Sequence, residues 1–322
     1  MKLLKNKDKE ILNIALPAIV ANITVPLLGP VDVAITGHLG NAAYIAAIAV
    51  GSMLFNVIYW VFGFLRMGTS GMTAQAYGRG DSAETMLLLM RGLCVALAVA
   101  LAVLVLQRPL LALAISVMGV EPSLQPLVQT YFQICVWGAP AMLCLYAFTG
   151  WFIGLQNTRI TMTVSIVQNI VNIVASLVLV YGLGMKIDGV ATGTLIAQWG
   201  GLLVAASYAC LKHRGLLRSL SLRAVTRGEA LMRFFNVNRD IFLRTLFLVA
   251  VNLFFVSAGA TQGTVVLAVN TLLMQLFTLF SYVMDGFAYA GEALCGKYAG
   301  AGDRTGFHAT VRRLFVWGAI LT

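Results

Sequence analysis

Long apolar runs, separated by short polar gaps, make up most of this chain. Eight of the runs approach or exceed the length of about 20 residues that a helix needs to cross a bilayer. They cover residues 11–36, 43–74, 85–106, 124–149, 160–183, 189–211, 241–258 and 264–295. A ninth run starts near Leu314 and reaches Thr322, the last residue of the sequence, before it is long enough to span.

The apolar runs predict helices rather than strands. Lipid offers no hydrogen-bond partners, so each spanning segment must satisfy its own backbone groups internally. Strands of a membrane barrel would be about half as long and would alternate apolar with polar residues. The fold class that follows is all-α, a polytopic membrane helix bundle.

The composition agrees with contact to lipid. The chain is 60% hydrophobic and 11% charged, whereas a soluble domain carries about 25% charged residues. The net charge of +10 comes from lysines and arginines in the gaps between the runs, so it indicates topology rather than a nucleic-acid surface. Every second gap is basic, most strongly at 212–239. This alternation predicts a cytoplasmic N-terminus.

Several kinds of chemistry lack their residues. The five cysteines form no Cys-x-x-Cys pair, which argues against a disulfide framework or a zinc site. The sequence has no Walker A loop and no His-Glu-x-x-His motif. The stretch GTSG at 68–71 fits a serine motif of intramembrane proteases, but no histidine lies inside a crossing to act as the base. We therefore expect no enzyme, no metal and no cofactor.

An internal repeat divides the chain. The stretch AQAYGRGD (74–81) closes the second predicted crossing, and GKYAGAGD (296–303) closes the eighth. Both copies start on the same side, which makes the repeat parallel. It predicts a six-helix N-lobe at 1–211, a basic cytoplasmic linker at 212–238, and a partial C-lobe at 239–322 with two full crossings and the start of a third. A complete second copy would also have six crossings, so we expect a C-terminally truncated chain.

The linker has two interpretations. It is either a solvated segment whose charges mark the inner side, or an amphipathic helix on the anionic inner leaflet.

One carboxylate, Asp32, lies within the first predicted crossing. An ionisable group at that depth is costly unless it is paired, neutralised or hydrated. Four polar residues of the fifth and sixth crossings fall at a similar depth: Asn172, Ser176, Thr194 and Gln198. Together they predict a water-filled pocket that accepts a proton or a cation.

Two alternatives remain for this pocket, and three prolines bear on its movement. Neighbouring hydroxyls could cap Asp32 without any transport role, and the asparagine and serine residues could simply hold helices together. The predicted hinges of the first crossing are Pro17, Pro26 and Pro30.

A second charged group consists of Arg244, Asp285 and Glu292. Asp285 and Glu292 are seven residues apart on one helix and share a face. The group predicts either a structural ion pair between Arg244 and Asp285 or a C-lobe site for a cation or substrate. Arg66 could meet Glu10 or extend to the lipid headgroups.

Five stretches resemble the multidrug and toxic compound extrusion (MATE) family, in its DinF-like branch. They are NITVPLLGPVDVAITGHLG (22–40), FLRMGTSGMTAQAYGRGD (64–81), VNRDIFLRTL (237–246), LAVNTLLMQL (267–276) and DGFAYAGEALCGKYAGAGD (285–303). The resemblance implies two six-helix lobes and export of organic compounds in exchange for H⁺ or Na⁺. It also implies that Asp32 occupies the position of a coupling carboxylate, with Asn172 and Thr194 in its network. Where many members carry a second acid, this chain has Ser176.

The function expected from residues and resemblance is secondary active antiport in a bacterial inner membrane. The expected substrates are small, amphipathic and cationic organic compounds, and we expect a monomer that binds no nucleic acid. Alternatives are a flippase for lipids or polysaccharide precursors and a non-transporting fragment. A flippase tends to line its cavity with several basic residues, and here only Arg66, Arg91 and Arg244 lie within crossings.

Overall fold

A computed structural model describes residues 2–24, 28–37, 41–215, 225, 228–261 and 264–322. Every regular element in these ranges is helical, which confirms the predicted fold class. The α-helices are α1 Lys2–Thr24, α2 Leu28–Gly37, α3 Ala42–Val61, α4 Phe64–Gly78, α5 Ser82–Val105, α6 Gln107–Met118, α7 Gln125–Cys135, α8 Ala139–Gly154, α9 Thr158–Leu177, α10 Ile187–Lys212, α11 Gly228–Thr261, α12 Thr264–Gly300 and α13 Arg304–Leu321.

Six helical segments of the described chain are long and apolar enough to cross a membrane. They are Ala42–Gly78, Ser82–Val105, Gln125–Gly154, Thr158–Gly182, Ile187–Lys212 and Leu272–Gly300. Each lies on one of the eight predicted crossings. The first and seventh predicted crossings, on α1–α2 and α11, are not among the six.

Two crossings are interrupted where the sequence predicted one continuous helix. The second turns at residues 62–63 between α3 and α4. In the fourth, a 3₁₀ turn at Val136–Gly138 precedes α8. Pro140, in the first turn of α8, explains that turn because it cannot donate a backbone hydrogen bond to residue 136.

The segment predicted as a linker is partly helical and partly buried. Helix α11 begins at Gly228, ahead of the predicted end of the linker at 238. Val225 is 5% exposed and Phe234 is fully buried against the N-lobe core. The side chain of Arg91 on α5 donates a hydrogen bond of 3.4 Å to the carbonyl of Val225. At these two positions the segment packs on protein rather than being solvated.

Helix α12 connects the two predicted lobes. It packs against α1, α4 and α8 of the N-lobe as well as against α11 and α13. Several helix ends lie together at one end of the bundle. They are the start of α1, the ends of α4, α8 and α12, and the start of α13. Gln156 contacts Lys297 there, and Asp8 contacts Arg313. We call this the basic end of the bundle.

The two copies of the repeat meet each other reciprocally at the basic end. A Cβ atom added to Gly78 would lie 2.0 Å from the Lys297 carbonyl oxygen, and one added to Gly300 would lie 2.1 Å from the Gln75 carbonyl oxygen. Gly78 corresponds to Gly300 in the repeat, and Gln75 corresponds to Lys297. The contact is therefore self-complementary, as across a two-fold axis.

Matching caps follow the two contacts. The side chain of Asp81 accepts a hydrogen bond from the Glu84 backbone at the start of α5, and Asp303 does the same from Gly306 at the start of α13. Such caps satisfy amide groups that have no partner within the helix.

Candidate functional site

Asp32 lies in the middle of α2 and is 6% exposed. Its Oδ1 atom is buried without a hydrogen-bond partner. Five ion pairs occur among the residues that the structure describes, and none of them includes Asp32. The Thr36 hydroxyl donates a hydrogen bond of 2.7 Å to the Asp32 backbone carbonyl rather than to its carboxylate. Among the described residues, no hydroxyl caps Asp32 Oδ1.

The polar residues of α9 and α10 face each other beside α2. Asn172 is 1% exposed and donates a hydrogen bond of 3.0 Å to the Thr194 hydroxyl. Ser176 is fully buried, and its hydroxyl lies 2.3 Å from the point where Gly193 would carry a Cβ atom. Asn172 and Thr194 thus join the two helices, as the packing alternative expected. Neither forms a direct hydrogen bond with Asp32.

Three residues that contact Asp32 electrostatically or lie beside Gln198 were missed by sequence analysis. Tyr131 and Cys135 on α7 lie within electrostatic reach of the Asp32 carboxylate, and Tyr59 on α3 lies beside Gln198 on α10. All three are less than a tenth exposed. Their sequence signal is weak, because a tyrosine or cysteine in an apolar run looks like any core residue.

Five buried polar atoms on these helices have no hydrogen-bond partner among the described residues. They are Asp32 Oδ1, Tyr59 OH, Asn172 Oδ1, Ser176 Oγ and Gln198 Oε1. Leaving such an atom unpaired in a protein interior costs about 1–3 kcal/mol, and native proteins avoid it unless water or an ion fills the gap. We name Asp32, Tyr59, Asn172, Ser176, Thr194 and Gln198 the Asp32 site.

The Asp32 site offers oxygen atoms and a single carboxylate. Oxygen ligands suit a proton, water or a hard cation such as Na⁺ rather than a soft transition metal. No group of three or more His, Cys, Asp or Glu residues able to hold a metal occurs in the described part of the chain.

The three predicted hinge prolines lie in different environments. Helix α1 continues through Pro17. Pro26 lies outside the described residues. Pro30 is the third residue of α2, a position in the first turn where a missing amide hydrogen does no harm.

Two side chains of the helical segment Thr158–Gly182, which consists of α9 and the π-helical turn after it, bind backbone carbonyls of α1 and α2. The Asn169 amide donates a hydrogen bond of 2.7 Å to the carbonyl of Thr24 in α1. The Tyr181 hydroxyl donates one of 3.0 Å to the carbonyl of Ile35 in α2. The two bonded carbonyls precede and follow Asp32 along the chain.

The second charged group is arranged differently from its prediction. Arg66 on α4, rather than Arg244, forms the ion pair with α12, and its partner is Glu292 at 3.6 Å. Arg244 is exposed and contacts the sulfur of Met67 at 3.3 Å. The predicted pair between Arg244 and Asp285 is therefore wrong. The register of α4 against α12 explains this, because it brings Arg66 between Asp285 and Glu292.

Glu10, considered as a partner for Arg66, pairs elsewhere. Its carboxylate accepts hydrogen bonds from Lys7 at 3.0 Å and from the Tyr298 hydroxyl at 2.7 Å.

Known proteins resemble this chain in sequence and in fold. A family model described as MatE matches residues 17–178. The DNA damage-inducible protein F of Escherichia coli is 37% identical over 305 residues, which cover 94% of this chain. A probable multidrug resistance protein NorM from Shewanella oneidensis is 30% identical over 205 residues, or 62% of this chain. A crystal structure of a MATE protein in the bent conformation has a TM-score of 0.88, with 20% identity over 99% of this chain and 72% of its own.

The chain spans 66% of the length of the Escherichia coli protein and 44% of the Shewanella protein.

Proposed function

The chain belongs to the MATE family of membrane transporters, and on that premise we propose that it is a secondary active antiporter that exports organic compounds in exchange for H⁺. The proposed substrates are small, amphipathic and cationic. The proposed location is a bacterial inner membrane, with the N-terminus and the basic end in the cytoplasm. Alternating basic gaps along the sequence support that orientation.

The observation that carries the proposal is the state of Asp32. The carboxylate is buried, its Oδ1 atom has no hydrogen-bond partner, and it has no basic partner among the described residues. An acid with a fixed cationic partner would stay ionised throughout a transport cycle. Asp32 has no such partner, so it can gain or lose a proton as water reaches the site from one side of the membrane and is then excluded.

Coupling through one carboxylate follows from Ser176. Ser176 supplies a hydroxyl and no second carboxylate at this position, so in this proposal Asp32 exchanges the ion alone. A single carboxylate with neutral oxygens supports one proton, or one Na⁺, per cycle.

The site also supports a monomer as the working unit. Helices α2, α3, α9 and α10, with α7 beside them, supply the whole Asp32 site from one copy of the chain.

The arrangement of arginines argues against a flippase for anionic lipids or polysaccharide precursors. Arg66 is paired with Glu292 and Arg91 with Glu84. Both arginines are therefore engaged with carboxylates instead of facing a cavity for phosphate groups.

The proposal is tested with the full-length protein in everted membrane vesicles. Ethidium uptake is measured while the lumen is acidified, and again with a Na⁺ gradient in place of the pH gradient. We expect the pH gradient to drive uptake and Asp32→Asn to abolish it. Asp240→Asn is the matched control, because Asp240 is 71% exposed and pairs only with the adjacent Arg239.

Uptake by Asp32→Asn at the rate of the unchanged protein would rule out Asp32 as the coupling group. Uptake driven by Na⁺ alone would replace the proton by Na⁺ in the proposal.

A further inference from the structure

A cation from one lobe lies in an acidic and aromatic site of the other. The guanidinium of Arg66, on α4, lies 4.0 Å from the centre of the Tyr289 ring on α12. Its Nη1 atom is 3.6 Å from Glu292 Oε2. Asp285, Tyr289 and Glu292 recur every three or four residues, so they share one face of α12, and Asp285 lies within electrostatic reach of Arg66.

The ion pair is loose for its degree of burial. The side chains of Arg66 and Glu292 are 12% and 26% exposed, yet neither Arg66 Nη1 nor Glu292 Oε2 has a hydrogen-bond partner. A hydrogen-bonded pair of this kind is normally about 2.7–2.9 Å long. The hydroxyl of Ser70, a fully buried residue, faces Glu292 without a hydrogen bond of normal geometry. The polar atoms of Glu292 and Ser70 are thus present in this site, but Arg66 does not form hydrogen bonds with them.

The charges around this site leave the acids in excess. Asp285 and Glu292 face one buried cation, Arg66. The next cation, Arg244 on α11, acts on Glu292 from an exposed position and contacts Met67. The other titratable group that faces Arg66 is Tyr146 on α8.

We propose that Asp285, Tyr289 and Glu292 form a binding site for an organic cation, and that Arg66 is a tethered occupant of that site in this conformation. A carboxylate beside an aromatic face is the usual recognition chemistry for organic cations, and a guanidinium held there occupies the place of such a ligand. Arg66 and Glu292 belong to different copies of the repeat, so movement between the copies separates them. The site is then free for a cation from solution, and return of Arg66 expels that cation.

This inference rests on the proposed export function for its role in a transport cycle. Binding itself is measured without any gradient, so its outcome is separate from that of the Asp32 experiment.

The test is equilibrium binding of tetraphenylphosphonium to the purified full-length protein in nanodiscs. Arg66→Gln removes the tethered cation, and we expect it to bind at least about tenfold more tightly, because the apparent affinity of an occupied site is reduced by the fraction of molecules in which it is free. Arg66→Lys keeps the charge and should bind like the unchanged protein. Arg66→Gln combined with Glu292→Gln should lose the gain.

Two further measurements keep the test decisive. Tetraphenylborate has the same shape with a negative charge and should show no gain with Arg66→Gln. If Arg66→Gln is poorly folded, added tetraphenylphosphonium should raise its unfolding temperature but not that of the double variant. The proposal is overturned if Arg66→Gln binds the cation no more tightly than the unchanged protein, or if the gain survives in the double variant.

Discussion

Two buried ionisable residues of this chain, Asp32 and Arg66, differ in what surrounds them. Asp32 has neutral oxygen atoms nearby and no charged partner among the described residues, whereas Arg66 has a carboxylate from the other lobe at 3.6 Å. The surroundings of Asp32 permit this residue to change its charge within one lobe. The surroundings of Arg66 include a residue of the other lobe, so they change when the two lobes move relative to each other.

The carboxylate of Asp8, at the basic end, leads to a prediction about how stability depends on pH. It accepts hydrogen bonds from Arg313, one of them 2.7 Å long, and from Trp317. The Arg313 hydrogen bond outweighs the opposing effect of burial and, with the Trp317 hydrogen bond, holds the pKa of the Asp8 carboxyl below its ordinary value. A lowered pKa in the folded state stabilises the fold above the unfolded value of about 3.9, and the contribution disappears as pH falls through the lowered value.

We therefore expect Asp8→Asn to lower the unfolding temperature at pH 7. The unfolding temperatures of this variant and of the unchanged protein should converge as pH falls below about 4. Thermal unfolding in detergent across this range measures the difference, and Asp240→Asn serves as the exposed control. A difference that stays constant with pH would contradict the assignment to the Asp8 carboxylate.

At the scale of elements, the position of α1 and α2 depends on the neighbouring helical segment Thr158–Gly182. Asn169 and Tyr181 of this segment bind the carbonyls of Thr24 and Ile35, which precede and follow Asp32 along the chain. The interval between them carries Asn172 and Ser176 of the Asp32 site. One helical segment therefore holds both α1 and α2 and supplies part of the Asp32 site.

Asn169→Leu tests this connection, because leucine has a similar size and no donor. Losing the partner of a part-buried carbonyl should destabilise the protein by about 1–3 kcal/mol, and ethidium uptake should fall because Asp32 loses its fixed position. The control is Thr163→Val, since the Thr163 hydroxyl bonds only to Arg159 within α9. Unchanged stability and uptake in Asn169→Leu would show that the hydrogen bond between Asn169 and Thr24 does not fix α1 against α9.

At the scale of the whole molecule, the reciprocal glycine contact determines how closely the repeats approach. Gly78 and Gly300 each lie directly against the backbone of the other repeat. A side chain at either position would push the basic ends of α4 and α12 apart, and with them Arg66 and Glu292.

Gly78→Ala and Gly300→Ala should both destabilise the protein, by about 1–3 kcal/mol as in other overpacked contacts. Replacing glycine by alanine within a helix usually has the opposite effect and stabilises the protein by about 0.5–1 kcal/mol. Gly71→Ala on the same α4 is the control, because a Cβ atom there meets nothing within 4 Å. Unfolding temperatures that rise for all three variants would refute the tight contact.

Much of this molecule was determined by the sequence alone. The apolar runs predicted the helices because the length of a run and the need to satisfy the backbone are local properties. The stretches at 74–81 and 296–303 predicted the repeat, and the isolated acid at Asp32 stood out by its cost in an apolar run.

Only the tertiary structure decided which side chains meet. The sequence favoured Arg244 as the partner of α12, but the glycine contact of α4 with α12 placed Arg66 there instead. The packing of α3 and α7 added Tyr59 to the Asp32 site and brought Tyr131 and Cys135 within electrostatic reach of Asp32. Partners across helices depend on rotation and register between elements, which no local pattern of residues contains.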